Sequence, residues 1–285
     1  MYLILNLLLI GLTIASFYIL ISAGLTLIYG VLKVIHVAHG AVFAMGAYAA
    51  VLMFGAFPEI YLAILFGVGA ATALGVALYF LVYSRLIRAE PLIPLIASIG
   101  AYYLLSNAFL FFFGPYILSF QNRPWFNPID FGVARGTDFS LIAPGLAAAS
   151  LIALWLVMTR TNYGLSLRAA AQDHTMALAL GVNVRKLIII VFALSSALAG
   201  LAGVLVGLYY NSVFPTVGDL AITEGLTIIV LGGMGSISGT VIASIVLAMS
   251  ETFAAAYFPS VIPPSSIAFS VMIIILLIRP HGIRG

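Results

Sequence analysis

The amino-acid sequence predicts an all-α protein that crosses a membrane many times, and three observations support this fold class. First, 64% of its 285 residues are hydrophobic and 7% are charged, whereas soluble domains are about 45–50% apolar and about 25% charged. Second, the 11 basic and 8 acidic residues cannot cover a soluble fold of this size, but lipid-facing helices need no charge. Third, apolar stretches of membrane-spanning length recur along the whole chain.

Nine apolar stretches are the candidate membrane spans. A hydrocarbon core of about 30 Å needs roughly 20 helical residues. Stretches of about that length, bounded by charge, Pro or Gly, are 5–30, 35–55, 61–84, 91–113, 140–159, 187–210, 220–234, 236–256 and 265–279. We therefore predict about 8–9 transmembrane helices in a single domain over residues 1–285. The second and seventh stretches are rich in Gly or His and the seventh is short, so a broken or re-entrant segment is an alternative for either.

The basic residues predict the orientation, because Lys and Arg concentrate in short cytoplasmic loops. If the N-terminus is outside, nine of the eleven fall on the inner side: Lys33, Arg85, Arg88, Arg160, Arg168, Arg185, Lys186, Arg279 and Arg284. Arg123 and Arg135 remain outside. We therefore expect an external N-terminus, a cytoplasmic C-terminus, an outer loop at about 114–140 and a cytoplasmic segment at about 160–186. The outer loop is either a connector or a docking site for an external partner.

The composition also bears on cofactors and partners. Cysteine is absent, so the chain cannot form a disulfide or a thiolate metal site. The basic residues are dispersed between apolar spans, so nucleic acid is not an expected partner. His36 and His39 stand three positions apart, but no third Cys, Asp or Glu ligand is within local reach. We therefore expect no metal site.

Polar residues inside the predicted spans are candidates for a translocation path, because they are costly in hydrocarbon without a cavity or a partner. His39, beside Gly40, either lines the inner mouth of the path or is a packed, hydrogen-bonded side chain. Glu224 and Glu251, near outer ends, either contact the ammonium group of an entering amino acid or are interfacial carboxylates within reach of water. Asn107 either lines the path or bonds a neighbouring helix.

A glycine-rich run in the second half of the chain adds four candidates for the path, Gly232, Gly233, Gly235 and Ser236. No Gly-Lys-Ser or Gly-Lys-Thr follows, so the run is not a phosphate-binding loop. Close helix packing of small residues and a helix break that lines the pore are both open interpretations. Catalytic residues are not predicted, because the His and acidic residues are spread too thinly for a membrane enzyme.

The cytoplasmic segment predicts a short helix of about three turns. RAAAQDHTMALAL, from Arg168 to Leu180, is built from strong helix formers, and Gly181 follows where a left-handed residue ends a helix. Arg168 and Gln172 share one face with Asp173 beside them, and apolar residues form the other side. The helix either joins two spans at the membrane surface or enters the groove of a partner.

This segment, extended to RAAAQDHTMALALGVNVRK, resembles the cytoplasmic coupling helix of the branched-chain amino-acid ABC permease family. The matching positions are Arg168, Ala169, Ala171, Gln172, Gly181 and Arg185. Four other segments are similar to the family: GLTLIYGVLKVIHVAHGAVFAMGAY, PLIPLIASIGAYYLLSNA, VLGGMGSISGTVIASIVLAMSE and the ending RPHGIRG. The family usually has Asn or a small residue where His36 stands. The chain looks most like the LivH-type subunit of that family.

The resemblance implies the permease fold of an ABC importer, which translocates branched-chain or other amino acids by ATP-driven alternating access. It implies four partners besides the lipid bilayer: a second, related permease that completes a heterodimer, two ATPase subunits at the cytoplasmic face, and an external substrate-binding protein. ATP and Mg would sit on the ATPase subunits, so no cofactor is expected in this chain. The implied location is a bacterial or archaeal cytoplasmic (inner) membrane.

Two other functions remain alternatives at this point. Related permeases carry urea or short amides, and the sequence does not separate these from amino acids. An autonomous channel or ion-coupled transporter would need membrane-embedded charges for coupling or selectivity, and the predicted spans offer few.

Overall fold

The computed structural model describes residues 2–86, 89–121, 125–130, 135–258, 264–280 and 282–284. Arg88 and Arg123, two of the basic residues used for the orientation, lie outside the described residues. The helices are α1 (Tyr2–Leu32), α2 (His39–Ala56), α3 (Ile60–Leu78), α4 (Ser84–Leu86), α5 (Leu92–Phe113), α6 (Phe139–Arg160), α7 (Asn162–Gln172), α8 (His174–Ala179), α9 (Val184–Tyr210), α10 (Gly218–Gly232), α11 (Ile237–Tyr257) and α12 (Pro264–Ile278). A π-helical turn, Tyr79–Tyr83, joins α3 to α4.

The helices confirm the predicted all-α, polytopic fold class. Each of the nine predicted spans coincides with a helix. In the described part of the chain, seven helices are long and apolar enough to cross a membrane, counting α3 and α4 as one helix over Ile60–Leu86. The remaining two, α10 and α12, have 15 residues each. Which end of each helix faces the cytoplasm stays a prediction.

The segment predicted as an outer loop contains the two described strands, β1 (Pro128–Asp130) and β2 (Arg135–Thr137), paired antiparallel with Ile129 opposite Gly136. The loop also pairs with the chain after α9, because Leu118 and Val213 form a β-bridge. This bridge holds the predicted outer loop against the segment that follows α9, at one end of the bundle.

Helix boundaries coincide with residues that favour caps. Asn183 begins α9 by accepting a hydrogen bond from the Lys186 amide at 3.1 Å, and Asn211 ends the same helix in a left-handed conformation, φ 51°. Gly114, φ 73°, follows the end of α5. Asn and Gly adopt positive φ more readily than other residues, which is why the apolar runs stop there.

The bundle contains two three-helix units, α1 to α3 and α9 to α11, in which α1 corresponds to α9, α2 to α10 and α3 to α11. α1 packs along α11, and α3 packs along α9; α2 packs on α9, and α10 packs on α1. Each of these contacts therefore has a counterpart when corresponding helices are interchanged. Such a pattern indicates a twofold relation between the two units. α1 and α9 run antiparallel, since Gly24 contacts Ser195 and Phe17 contacts Tyr209. The units thus form an inverted repeat.

Two helices of this repeat, α2 and α10, begin after non-helical segments, 33–38 and 211–217. The start of α2 lies beside the central part of α1, where the His39 ring is 3.3 Å from the Ile21 carbonyl oxygen. The start of α10 lies beside the central part of α5, where Tyr102 donates a hydrogen bond to Asp219. The second and seventh predicted spans are therefore both discontinuous with the helix before them.

Small residues allow α2, α3 and α9 to approach closely. A Cβ on Gly46 would lie 2.5 Å from the carbonyl oxygen of Gly200, and a Cβ on Gly67 would lie 2.6 Å from a Val204 methyl group. Because the hydrophobic effect does not drive association between helices in lipid, van der Waals packing must stabilise the contact. Gly and Ala allow the close approach that this packing needs.

Candidate translocation site and docking segment

A cavity with acidic side chains and a mostly apolar surface lies between α1, the C-terminal end of α9, α10 and α11. Its volume is about 730 Å³, and Leu7, Ile10, Ile14 and Leu220 form the aliphatic part of its wall. Tyr18, Glu224 and Glu251 also line it. The structure therefore brings together two of the sequence-predicted path residues, which are 27 positions apart in the sequence.

The two carboxyl groups in this cavity are buried and adjacent. Glu224 is 6% exposed and Glu251 is 5% exposed, and their side chains are within hydrogen-bonding reach of each other. Tyr18 Oη donates to Glu251 Oε2 at 2.6 Å. Among the described residues, Glu224 Oε2 and Glu251 Oε1 meet no hydrogen-bond partner. Both carboxyl groups are thus buried within the described part of the chain, at the wall of the cavity.

Polar side chains along the α1–α11 contact set the position of Glu251. Thr26 meets Thr240 at 2.9 Å between hydroxyl oxygens, and Ser22 meets Ser244 at 3.1 Å. Tyr18 and Glu251 are the next pair along the same contact. Tyr18 was not among the predicted site residues. The sequence signal for Tyr18 is that polar residues recur every four positions, at 18, 22 and 26, which places them on one face of α1.

His39 is buried and does not line this cavity. Its Nε2 lies 3.3 Å from the Ile21 carbonyl oxygen, and its ring lies 5.7 Å from that of His36. His36 Nδ1 is 2.5 Å from Tyr83 Oη. Within the described residues, no group of three possible metal ligands occurs. Among the described residues, His39 Nδ1 and His36 Nε2 have no hydrogen-bond partner, so only one nitrogen of each ring is paired.

Gly40 and Asn107 also lie outside the acidic cavity. Gly40 packs on α10, where a Cβ at its position would lie 2.6 Å from the Gly218 carbonyl oxygen. Asn107 is exposed and donates to the Tyr103 carbonyl oxygen of its own helix at 2.7 Å. It borders a separate groove with Tyr102. Together with the glycine-rich turn between α10 and α11, the predicted path residues are thus divided among four places.

The glycine-rich run forms a tight turn between α10 and α11. Gly233 and Gly235 have φ of 99° and 93°, and Ser236 Oγ accepts from the Gly239 amide at 3.2 Å, which begins α11. A Cβ on Gly232 would lie 2.6 Å from the Gly239 carbonyl carbon. Close packing of small residues and a helix break at two positive-φ glycines therefore occur together in this run.

The chain's C-terminal segment closes over this turn. The Ile283 amide donates to the Leu231 carbonyl oxygen at 2.9 Å, and the Arg284 amide donates to that of Gly232 at 3.2 Å. These two bonds satisfy carbonyl groups at the end of α10 that have no partner within the helix.

The prediction of one continuous helix from Arg168 to Leu180 is wrong. The segment is divided into α7 and α8 at Asp173, whose backbone is extended at φ −148° and ψ 108°. Asp173 Oδ1 accepts a hydrogen bond from the Met176 amide at 2.9 Å. An Asp side chain that bonds to nearby amides competes with helix continuation and starts a new helix instead. Gly181 has φ 81°, which confirms the predicted left-handed end of the segment.

Several of the predicted docking residues share one groove, of about 1270 Å³. Ala171, Gln172, Gly181 and Arg185 line it, together with Lys33 and Arg85. Ala169 is half-buried on α7, and Asp173 is exposed at the break. Arg168 behaves differently, because its Nη1 donates to the Met158 carbonyl oxygen and ties α7 to the end of α6. Its side chain therefore has a structural contact within the chain.

The fold and these sites define a class of protein. A multi-pass helical bundle with an inverted repeat, two discontinuous helices and a cavity beside them is the architecture of a membrane transport protein. Comparison with known proteins identifies the family. Residues 7–278 match the family described as branched-chain amino acid transport system / permease component, and the chain belongs to it. It is accordingly a multi-pass protein of the cytoplasmic (inner) membrane.

Individual relatives extend over nearly the full length. The chain is 32% identical to the high-affinity branched-chain amino acid transport system permease protein LivH of Escherichia coli (strain K12), over 96% of this chain and 93% of that protein. It is also 32% identical to the corresponding permease protein BraD of Pseudomonas aeruginosa, over 96% and 94% respectively.

A solved structure shares the fold. PsaBC from Streptococcus pneumoniae in complex with Fab aligns with a TM-score of 0.53 at 16% sequence identity, covering 99% of this chain and 93% of that chain.

Proposed function

We propose that this chain is a permease subunit of an ABC importer and that it carries branched-chain amino acids. The observation that carries the proposal is the family match over residues 7–278, with relatives named as branched-chain amino acid permeases at about one-third identity. The cytoplasmic segment supports it, because its groove and exposed helix provide a surface for a partner. The chain itself contributes no catalytic residue.

The proposed partners follow from this role. A second, related permease completes a heterodimer, two ATPase subunits bind at the cytoplasmic face, and an external binding protein delivers the substrate. ATP and Mg belong to the ATPase subunits. Met176 in α8 and Leu180, the first residue after α8, are exposed by 58% and 75% and stand four positions apart. Exposed apolar side chains suit the groove of a protein partner.

The contacts of α7 and α8 suggest how ATPase closure reaches the membrane helices. Arg168 links α7 to α6, and α9 begins shortly after Gly181. α9 in turn packs on α1, α2 and α3. A rigid movement of α8 would therefore tilt α9 and change its packing on three other helices. Alternating access requires two such arrangements, and the ATPase favours one by binding it more tightly.

Uptake by reconstituted proteoliposomes tests the proposal. Vesicles that contain this chain, the second permease, the ATPase subunits and the binding protein should accumulate leucine only when ATP is supplied. Vesicles that contain this chain alone should not. Accumulation by the chain alone would overturn the proposal in favour of a channel or an ion-coupled transporter, and uptake of urea instead of leucine would overturn the proposed cargo.

A further inference from the structure

We infer that Glu224 and Glu251 form a subsite for the ammonium group of a primary amine, with the aliphatic wall of the same cavity receiving an apolar side chain. The inference rests on the proposed transport function. It adds to it by naming which part of an amino acid this chain recognises and which residues recognise it.

The first argument is the charge of the site. Two carboxyl groups within hydrogen-bonding reach of each other, both about nineteen-twentieths buried, repel when both are ionised, and a cation relieves this repulsion. No Lys or Arg is among the described residues that line the cavity; the third acidic side chain there, Asp219, already accepts a hydrogen bond from Tyr102. The described residues thus supply no basic counter-ion at this point.

The second argument is the geometry of the free oxygens. Glu224 Oε2 and Glu251 Oε1 are the atoms without a partner among the described residues. An ammonium group carries three N–H donors and no acceptor, so it can donate to both oxygens at once. Tyr18 Oη holds the other oxygen of Glu251 at 2.6 Å, which fixes the carboxyl group in this orientation.

The third argument is the shape and lining of the cavity. Its volume, about 730 Å³, lies in the range of small-molecule sites, about 300–1,000 Å³. Leu7, Ile10, Ile14 and Leu220 make the wall apolar. An aliphatic amine satisfies both ends of this site, whereas an aliphatic acid without an amino group would add a negative charge beside the acidic side chains and bring no ammonium group to offset it. The site therefore selects for the amino group.

Protection from a carbodiimide tests the subsite directly. Dicyclohexylcarbodiimide modifies carboxyl groups in apolar surroundings, and mass spectrometry of the full chain in nanodiscs, alone and with its partner subunits, measures modification at Glu224 and Glu251. Leucine and 3-methylbutylamine should each protect both positions, and 4-methylpentanoate should not. Equal protection by all three compounds, or by none, would overturn the proposal. So would absence of modification at both positions, since solvent would then not reach the cavity.

Glutamine variants give a second measurement. Glu224→Gln and Glu251→Gln should each weaken protection of the remaining carboxyl group by leucine about tenfold, the typical effect of losing a hydrogen bond to a charged group. Glu59→Gln is the matched control, because Glu59 is exposed outside the cavity. Unchanged protection in both cavity variants would contradict the subsite.

The two proposals fail in different ways. If the wild-type assembly does not accumulate leucine but leucine protects the carboxyl groups, the transport proposal fails and the amine subsite stands. If leucine accumulates with ATP but gives no protection, the importer stands and the subsite is wrong.

Discussion

Gly40 and Gly218 lie against each other where α2 and α10 begin. A Cβ on Gly40 would lie 2.6 Å from the Gly218 carbonyl oxygen, and a Cβ on Gly218 would lie 2.8 Å from the Gly40 carbonyl carbon. Each residue is at the start of the discontinuous helix of its own unit. The contact is therefore the point at which the two halves of the inverted repeat meet through their broken helices.

Replacement of either glycine should destabilise the bundle. We expect Gly40→Ala and Gly218→Ala each to cost about 1–3 kcal/mol, because the added methyl group overlaps backbone atoms that cannot move independently. The measurement is the midpoint of thermal unfolding in detergent. Gly69→Ala is the control, since no heavy atom lies within 4 Å of a Cβ at that exposed helical position. Equal midpoints for all three variants would contradict the close contact.

Two neighbouring serines should respond differently to the same substitution. Ser195 Oγ donates to the Gly24 carbonyl oxygen at 2.6 Å and joins α9 to α1. Ser196 Oγ is also buried but has no hydrogen-bond partner among the described residues. Ser195→Ala should therefore cost about 0.5–1.5 kcal/mol, while Ser196→Ala should be neutral or slightly stabilising. Unfolding midpoints in detergent distinguish them, and a larger loss for Ser196→Ala would argue against the assigned contacts.

The sequence predicts the positions of the helices well because hydrophobic length is a local property. The nine apolar stretches coincide with helices, and Gly114 and Gly181 have the positive φ that helix ends favour. Helix pairing is different. Helices such as α1 and α9 are apolar on nearly every face, so no apolar stripe indicates that α1 packs along α11 and α3 along α9. The polar residues 18, 22 and 26 mark the α1 face that meets α11, but they do not name the partner helix.

The candidate site is predictable only in part. The free-energy cost of placing a carboxyl group in hydrocarbon identifies Glu224 and Glu251 as candidate site residues from the sequence alone. That the two lie close together depends on how α10 and α11 fold back on each other, which the sequence does not indicate. Tyr18 is 233 positions from its partner Glu251, and only the spacing of polar residues in α1 hints at it. The break at Asp173 was missed because strong helix formers on both sides outweigh one capping residue in a propensity argument.

The C-terminal segment offers a third test of stability. Gly282 has φ 83°, and a Cβ there would lie 2.6 Å from the Gly233 amide nitrogen. Gly181 has nearly the same φ, 81°, but open space around its Cβ position. Gly181→Ala should therefore cost only the backbone strain, about 1–2 kcal/mol, and Gly282→Ala should cost about 1–3 kcal/mol more. Identical melting temperatures for the two variants would show that the segment does not pack on the turn.

The proposed docking surface can be tested without disturbing the membrane bundle. Arg168→Ala is a poor probe, since it also removes the contact to Met158. Met176→Glu combined with Leu180→Glu changes one exposed side chain of α8 and the exposed residue just after it, and places charge on the surface that would enter the ATPase groove. We expect the ATPase subunits to be lost on co-purification and ATP-driven uptake to fall at least about tenfold, because burying an unpaired charge is costly.

The matched control for this docking test is Ile117→Glu, which adds the same side chain at a residue 65% exposed in the segment predicted to lie outside the membrane. That variant should keep the ATPase subunits. Gln172→Ala should reduce ATPase co-purification less than the double glutamate variant does, because Gln172 lines the same groove as Gly181 and the change introduces no charge. If the double glutamate variant retains the ATPase subunits and full uptake, α8 is a surface connector between α7 and α9, and the coupling contact must lie elsewhere on the chain.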